Sequence, residues 1–241
     1  MNKNENAWQD IGKYSVLTDN NNKFGTDAVL LEYFANAKKN ENVVDIGTGC
    51  GIIPMLLKRN NRGNKIYGID VQEDAVNLFK QSVEKNDLQN EITPILCDVK
   101  DINALSQNIA HASLELVVSN PPYYEQNCGG EYKNDVRKIC REEASLSIYD
   151  VAKAANYLLK FGGRFCVCYK PERLCDCIDA MRKNEIEPKK LRFVQKDNKS
   201  KPWLVLLEGK RGAKPFLEIL PPLIMNSDEG KQELEKIYAL N

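Results

Sequence analysis

The sequence predicts an α/β fold with a mostly parallel sheet of seven strands, helices on both faces and an antiparallel strand at the edge. Short β-branched, apolar runs alternate along the chain with longer runs whose apolar residues recur at helical spacing. Parallel strands need crossover connections, and the intervening helices supply them while covering both faces of the sheet. The 241 residues, 42% hydrophobic and 28% charged, provide one core of ordinary enzyme size and exclude a disordered chain.

The first half of the chain shows the clearest alternation of strand and helix. A short strand at 14–17 and a helix at 27–37 come first. The later runs predict strands at 43–46, 65–69, 92–96 and 114–118, with helices between them at 52–59, 73–86 and 102–109. These elements form the parallel part of the predicted sheet.

The second half continues the alternation and ends in a hairpin. Ser147 and Asp150 cap a helix predicted over 147–160, and Gly162 and Gly163 are expected to end it. The remaining elements are a strand at 164–169, a helix from Pro171 to 183, and strands at 191–195 and 203–208. The hairpin made by the last two strands adds an antiparallel strand to the sheet.

Two stretches depart from this alternation and help to define the domain organisation. Residues 123–145 form a long polar connection between a strand and a helix, and loops of that length are usually functional or disordered. The tail from 215 contains a Pro-Pro pair and a short final helix. We therefore expect an N-terminal extension over 1–40, one domain over 41–225, and a C-terminal helix over 226–241 that packs on that domain.

Charge and composition limit the function classes. Thirty-four basic residues balance 34 acidic ones, so any basic surface for a nucleic acid must be local. No run approaches the roughly 18 apolar residues of a membrane span, and the polar start does not resemble a signal peptide. We therefore expect a cytoplasmic protein without membrane contact, whose eight cysteines stay as thiols.

Neither metal binding nor histidine catalysis is expected. One residue separates Cys166 from Cys168 and Cys175 from Cys177, whereas zinc motifs use two or more intervening residues. The pairs lie in an apolar run and a helical run, which favours buried thiols. The single histidine, His111, falls in a polar connector and leaves no histidine-based triad.

A glycine-rich turn follows the first strand of the main domain. Residues 45–51 read Asp-Ile-Gly-Thr-Gly-Cys-Gly and lead directly into a helix. Glycines let the backbone turn sharply and bring its amides close to a ligand at the helix N-terminus. The dinucleotide fingerprint would need a glycine at Ile52, so the spacing differs from that motif.

Acidic residues close the next two strands at the same edge of the sheet. Asp70 ends the second strand, where a carboxylate can accept both hydroxyls of a ribose. Asp98 ends the third strand. Open α/β sheets bind ligands at the carboxyl ends of their strands, so this combination indicates an adenosine-containing cofactor.

The fourth strand ends in a group suited to a planar amine. Asn120, Pro121, Pro122 and Tyr123 follow it directly. The prolines leave carbonyls without neighbouring amide donors, Asn120 adds a side-chain carbonyl, and Tyr123 offers an aromatic face. An acceptor pair beside a stacking ring fits an NH2 group on a conjugated system, although an ordinary strand exit would also explain the prolines.

The chain therefore resembles the class I S-adenosylmethionine-dependent methyltransferases, which have a Rossmann-like fold and an Asn-Pro-Pro-Tyr signature in their amino-methylating members. The segment 24–28 resembles the part that closes over the methionine end of the cofactor. The resemblance implies S-adenosyl-L-methionine as methyl donor, S-adenosyl-L-homocysteine as product, and no metal. It implies that the cofactor is bound by Thr26, Asp27, Asp45, Gly47, Thr48, Gly49, Gly51, Asp70, Val71, Asp98, Val99 and Asn120.

Further segments narrow the resemblance to a bacterial family that methylates N6 of adenosine-37 in a valine tRNA. They are Arg141 with Glu143, and the runs 170–174, 191–194 and 220–224. The resemblance implies Asn120, Pro121, Pro122 and Tyr123 as catalytic residues, with Tyr123 stacking on the flipped base. Glu142 stands where that family is expected to have a histidine.

A local excess of positive charge marks a possible tRNA surface. Residues 187–215 contain nine basic and three acidic side chains, although such a run can also be a solvated face. The candidate RNA contacts are Tyr124, Arg137, Lys138, Arg141, Lys189, Lys190, Arg192, Lys199, Lys201 and Trp203. The expected partner is tRNA, and no obligate protein partner is implied.

Other functions remain open from the sequence. A protein glutamine N5-methyltransferase presents the same planar NH2 but carries a helical substrate domain, and only 42 residues precede Val43. Ribosomal RNA enzymes often have a duplicated domain, and a DNA adenine enzyme needs a recognition domain. A non-catalytic RNA-binding module would keep the fold without the chemistry.

Overall fold

A computed structural model describes residues 6–121 and 146–238 of the chain. The strands are β1 (Ala7–Asp10), β2 (Ser15–Thr18), β3 (Val43–Ile46), β4 (Ile66–Asp70), β5 (Ile92–Leu96), β6 (Leu114–Ser119), β7 (Leu159–Tyr169), β8 (Ile186–Gln195), β9 (Leu204–Arg211), β10 (Glu218–Ile219) and β11 (Leu223–Ile224). The helices are α1 (Thr26–Ala35), α2 (Ile52–Arg59), α3 (Glu73–Lys85), α4 (Ile102–Asn108), α5 (Ile148–Leu158), α6 (Leu174–Lys183) and α7 (Asp228–Tyr238), with a 3₁₀ turn over Pro171–Arg173.

The predicted α/β architecture is confirmed, with β3 near the middle of the sheet. Within the described residues the large sheet has nine strands in the order β10-β8-β9-β7-β6-β3-β4-β5, and β11 also pairs with β8. Strands β3 to β7 run parallel, because α2 to α5 and the connections around them return the chain to the same end. All seven strands predicted for this sheet are present, and its two additional strands, β10 and β11, have two residues each.

The predicted antiparallel addition at this edge of the sheet is confirmed as the hairpin β8–β9, in which β9 is the inner strand. β9 pairs antiparallel with β7 on one side and with β8 on the other. Its first six residues are buried, whereas β8 alternates buried and partly exposed positions and carries several charges. The more apolar strand of the hairpin therefore takes the inner position, where both of its faces are covered.

The junction between α5 and β7 also differs from the prediction. The capping box of Ser147 and Asp150 is present, but the helix ends at Leu158 rather than at residue 160. Leu159 is already extended and pairs with Leu114, so Gly162 and Gly163 lie inside β7, beside a register irregularity. Burial of Leu159 against the sheet, rather than glycine, ends the helix.

Two apolar clusters cover the two faces of the sheet. One contains residues of α1, α2 and α3 and the strand residues that face them, and the other contains residues of α4, α5 and α6. The C-terminal helix α7 belongs to the first side, where the Arg59 guanidinium donates to the Ile237 carbonyl at 3.2 Å. In the ranges 6–121 and 146–238, no helix is both long enough and apolar enough to cross a membrane.

Candidate active site

A cavity of about 320 Å³ opens at the carboxyl ends of β3, β4, β5 and β6. Ten of the twelve predicted cofactor residues line it: Asp27, Asp45, Gly47, Thr48, Gly49, Asp70, Val71, Asp98, Val99 and Asn120. Of the other two, Thr26 is the first residue of α1, and Gly51 lies behind the glycine turn, facing the ring of Phe79. The strand ends thus bring together side chains that are up to 75 residues apart in the sequence, from Asp45 to Asn120.

Asp45 is the most unusual group in the cavity because it is buried and only half satisfied. It is the penultimate residue of β3 and has 1% of its surface exposed. Its Oδ2 accepts a hydrogen bond from the Thr48 hydroxyl at 2.7 Å, while its Oδ1 has no hydrogen-bond partner within residues 6–121 and 146–238. Burial raises the pKa of Asp45 to about 7, with the Thr48 hydrogen bond opposing the shift and the Asp70 charge adding to it.

Asp70 ties the glycine turn to the end of β4. Its Oδ2 accepts the Gly49 amide at 2.8 Å and its Oδ1 accepts the Gln72 amide at 2.9 Å. Burial raises its pKa, and the backbone hydrogen bonds act in the opposite direction. A carboxylate has about four acceptor sites, so these two bonds leave capacity for a ligand hydroxyl.

Asp98 is the most open of the three acids. Its carboxylate is 43% exposed, accepts the Lys100 amide at 3.0 Å, and lies 3.7 Å from the Lys100 ammonium. Apolar side chains next to Asp70 and Asp98 in the sequence, Val71 and Val99, also line the cavity. An exposed acceptor in a cavity with apolar lining side chains suits a planar ring with polar edges.

Asn120 lies in the wall of the cavity, next to the end of β6. It directly follows β6 and lines the cavity together with Asp45, Gly47 and Asp70. The preceding residue, Ser119, is fully buried and donates its hydroxyl to the Ile46 carbonyl at 2.7 Å, which ties the end of β6 to the end of β3. Pro121 is buried next to Asn120, whereas Pro122 and Tyr123 lie outside the described residues.

Comparison with known proteins identifies the family. Residues 13–172 match the methyltransferase small domain family, and this stretch includes all the elements that line the cavity. The chain belongs to the methyltransferase small domain family. Its match begins just before β2 and ends in the 3₁₀ turn after β7, so the hairpin β8–β9 lies beyond it.

Two curated relatives of this methyltransferase small domain protein carry the same description. A tRNA1(Val) (adenine(37)-N6)-methyltransferase of a Flavobacteriaceae bacterium is 27% identical over 60% of the chain. That match spans 58% of the relative's own length. A protein of the same description from Parabacteroides distasonis is 26% identical over 77% of the chain and 76% of the relative.

A solved structure supports the fold. A predicted O-methyltransferase from Agrobacterium tumefaciens superposes with a TM-score of 0.68 at 17% identity, covering 89% of this chain and 98% of the other. At that identity the similarity concerns the fold. It supports the α/β fold with a mostly parallel sheet that the sequence predicted.

The basic residues of the predicted RNA surface lie in two separate regions. Lys199 and Lys201 are exposed in the loop between β8 and β9, at the carboxyl edge of the sheet that also carries the cavity. Lys189 lies in the amino-terminal half of β8, where its ammonium donates to the Lys214 carbonyl at 3.1 Å. Because β8 is about 30 Å long, a charge run that is continuous in sequence is divided in space.

Three further candidate RNA contacts interact with other residues of the chain. Arg192 donates to both carboxylate oxygens of Glu233, at 2.5 and 2.8 Å. Lys190 lies 3.8 Å from the Glu208 carboxylate, and Trp203 is partly buried against the core. The candidates Tyr124, Arg137, Lys138 and Arg141 lie outside the described residues, as does Glu142.

Several cavity residues were missed by sequence reasoning. Asn21 and Asn22 line the cavity from the turn after β2, where Asp19 accepts both of their amides. Cys97 and Leu146 also line it. The polar run before Phe24 could have indicated such a turn, whereas nothing local marks Leu146 as a neighbour of the glycine turn.

The described cysteines show no metal arrangement. Cys166, Cys168 and Cys177 are fully buried thiols, and Cys175 is exposed. Over residues 6–121 and 146–238, no group of three histidine, cysteine or acidic side chains is arranged to hold a metal ion.

Proposed function

We propose that this chain is an S-adenosylmethionine-dependent methyltransferase that modifies the exocyclic N6 of an adenosine in tRNA, with adenosine-37 of a valine tRNA as the expected target. The relatives described as tRNA1(Val) (adenine(37)-N6)-methyltransferases support the substrate. The observation that carries the reaction class is that Asn120 lines the same cavity as Asp45 and Asp70. Because its substrate is tRNA, such an enzyme acts in the cytoplasm.

The cavity residues fit S-adenosylmethionine. The unpartnered buried Oδ1 of Asp45 is suited to a cationic donor such as an α-ammonium group, because an ion pair would offset its burial cost. Asp70 offers acceptors for ribose hydroxyls, and Asp98 lies where the adenine is expected. A methyl group added at Gly49 would have no neighbour within 4 Å, so the backbone there leaves room for a ligand.

The chain's contribution to the reaction is mainly proximity and orientation. S-Adenosylmethionine supplies a methyl group on a sulfonium that is already a strong electrophile. Asn120 and the Pro121 carbonyl accept hydrogen bonds from the two N–H groups of the adenine amine, which aims its nitrogen at the methyl group. No strong base is needed, because the proton of the amine becomes acidic once the methyl has been transferred. Tyr123 is proposed to stack on the flipped base.

The central test is methylation of tRNA that lacks the modification. Total tRNA from a strain without the activity should accept one labelled methyl group per target molecule, and nuclease mapping should locate N6-methyladenosine beside the anticodon. Methylation of a glutamine side chain in protein instead would transfer the assignment to the protein methyltransferase alternative. Cofactor binding without methylation of any RNA would favour a non-catalytic module.

The affinity for S-adenosylmethionine should depend on pH through Asp45. Its folded pKa of about 7 lies above the ordinary 3.8, so below pH 7 the free protein must lose a proton before it can pair with a cation. The dissociation constant should fall by up to about tenfold per pH unit from about pH 5.5 to 7 and then level off. The stability of the unliganded protein should change in the opposite sense. Because folding raises the pKa of Asp45, the free energy of unfolding should decrease as the pH rises from about 4 to 7.

Calorimetric titration over this pH range would measure the effect. Asp45→Asn keeps an acceptor for Thr48 but cannot ionise, so its cofactor affinity should be lower and independent of pH. A slope that persisted in Asp45→Asn would assign the titration to another group.

The loop between β8 and β9 should contribute to tRNA binding. It lies at the cavity edge of the sheet, and β9 is two strand spacings, about 10 Å, from β6. Lys199→Gln with Lys201→Gln should reduce the salt dependence of tRNA binding by about 1.5 log-log units, if each lysine neutralises one phosphate. The matched control removes two exposed charges from the other end of β9, as Lys210→Gln with Lys214→Gln. An equal decrease in salt dependence in the two double variants would mean that the loop between β8 and β9 makes no specific contribution to tRNA binding.

A further inference from the structure

A fully buried thiol lies beside the amide that the proposed reaction uses. Cys168 is in β7, which runs parallel to β6, and Ser119 pairs with Val167. The next residues along the two strands are Cys168 and Asn120, and the Cys168 Sγ lies 3.0 Å from the Asn120 Oδ1. Cys168 has 0% of its surface exposed, so this contact is made from inside the core.

The direction of the hydrogen bond follows from the two groups. A thiol hydrogen is a weak donor and an amide oxygen is an acceptor with two lone pairs. Accepting the thiol hydrogen therefore does not use up the capacity of the Asn120 oxygen to accept another hydrogen bond. Asn120 lines the cavity whereas Cys168 does not, so the amide lies between the core thiol and the ligand space.

Orientation of this amide matters because its two ends have opposite chemistry. The terminal torsion of asparagine is broad and roughly two-fold, so an unrestrained side chain can exchange its oxygen and its NH2 group. Only the oxygen can accept a hydrogen bond from a substrate amine. A donor on the β7 side favours one of the two orientations.

We propose that Cys168 is a positioning residue that holds the Asn120 carbonyl oxygen in the orientation that receives the substrate amine. The proposal rests on the proposed function, since it concerns the amide that is expected to bind the adenine. A thiol suits this place because it costs little to bury in an apolar strand, yet it can still donate one hydrogen bond.

Two substitutions and one matched control test the proposal. Cys168→Ala removes the donor, and Cys168→Ser keeps a donor of similar size. Cys166→Ala is the control, because Cys166 is equally buried two residues earlier on the same face of β7 but lies 3.8 Å from Glu208 rather than near Asn120. Turnover with saturating tRNA, cofactor affinity, KM for tRNA and melting temperature are measured for each.

Cys168→Ala should lower kcat by about tenfold, with cofactor affinity and KM for tRNA within about twofold of the parent. Cys168→Ser should recover most of the parent kcat. Cys166→Ala should keep the parent kcat even if its melting temperature falls as much as that of Cys168→Ala. The proposal is overturned if Cys168→Ala keeps its kcat within twofold, or if Cys168→Ser is as impaired as Cys168→Ala.

A measurement without substrate separates this proposal from the proposed function. The side-chain NH2 signals of Asn120, assigned by their loss in Asn120→Ala, should shift and broaden in Cys168→Ala but not in Cys166→Ala. A parent protein that methylates no tRNA would refute the proposed function, while unchanged NH2 signals in Cys168→Ala would refute the positioning contact.

Discussion

Replacement of Asn120 by alanine should reduce methyl transfer by at least about 100-fold, because it removes the acceptor that orients the amine. Asn120 follows β6 at the cavity wall, and the buried Ser119 hydrogen bond to Ile46 holds the backbone there independently of the Asn120 side chain. The fold and the cofactor-binding groups should therefore survive the substitution. Single-turnover rates with labelled cofactor, measured with modification-free tRNA, would show the loss.

The control for this prediction is cofactor binding by the same variant. The dissociation constant of S-adenosylmethionine should stay within about threefold of the parent, because Asp45 and Asp70 contribute the stronger polar groups. Turnover that survived Asn120→Ala would remove this residue from the mechanism. A parallel collapse of cofactor affinity would instead assign Asn120 to the cofactor.

Gly51→Ala should destabilise the protein by about 3 kcal/mol or more and lower its melting temperature by about 10 °C. Gly51 precedes α2 with φ +82°, which is strained for any residue with a Cβ. A Cβ there would lie 2.0 Å from the ring of Phe79. The ring has little room to move, because Phe79 is fully buried and also packs closely over Gly68, where even an added Cβ would lie 2.4 Å from it.

Gly49→Ala is the matched control for this steric argument. Its φ of +54° carries a similar backbone cost, but a Cβ at this position meets no atom within 4 Å. Its stability loss should therefore be about 1 kcal/mol, with the larger effect on cofactor affinity. Thermal and urea unfolding of both variants would measure the difference. Equal destabilisation would mean that the backbone angle, and not the contact with Phe79, dominates at Gly51.

Most of the fold was predictable because its signals are local. β-Branched runs and helical periodicity placed the seven longer strands of the sheet, and the capping box at Ser147 marked the start of α5. The end of that helix was not predictable from Gly162, because Leu159 begins the strand through its burial against the sheet. The hairpin β8–β9 at the edge of the sheet was also predictable, but the order of its two strands was not, since strand order depends on which strand gains more from being covered.

The candidate site was predictable in its members but not in its contacts. Asp45, Asp70 and Asn120 each lie within one residue of the carboxyl end of a parallel strand, so alternation alone places them at one edge. Two properties of Asp45 depend on how closely neighbouring elements pack around it: the burial that raises its pKa, and the lack of a partner for its Oδ1 among the residues that the structure describes. Such packing involves residues that are distant in the sequence.

The sequence by itself determined the α/β class, the edge of the sheet that carries the cavity, and the residue types gathered there, because strand periodicity and strand-end positions are local features of the sequence. Only the tertiary structure decided that Cys168 contacts Asn120, that Arg192 is bound to Glu233, and that Lys189 is separated from Lys199. These relations follow from the neighbours that each strand acquires when the sheet assembles, and pairing between distant segments is a property of the whole packed core.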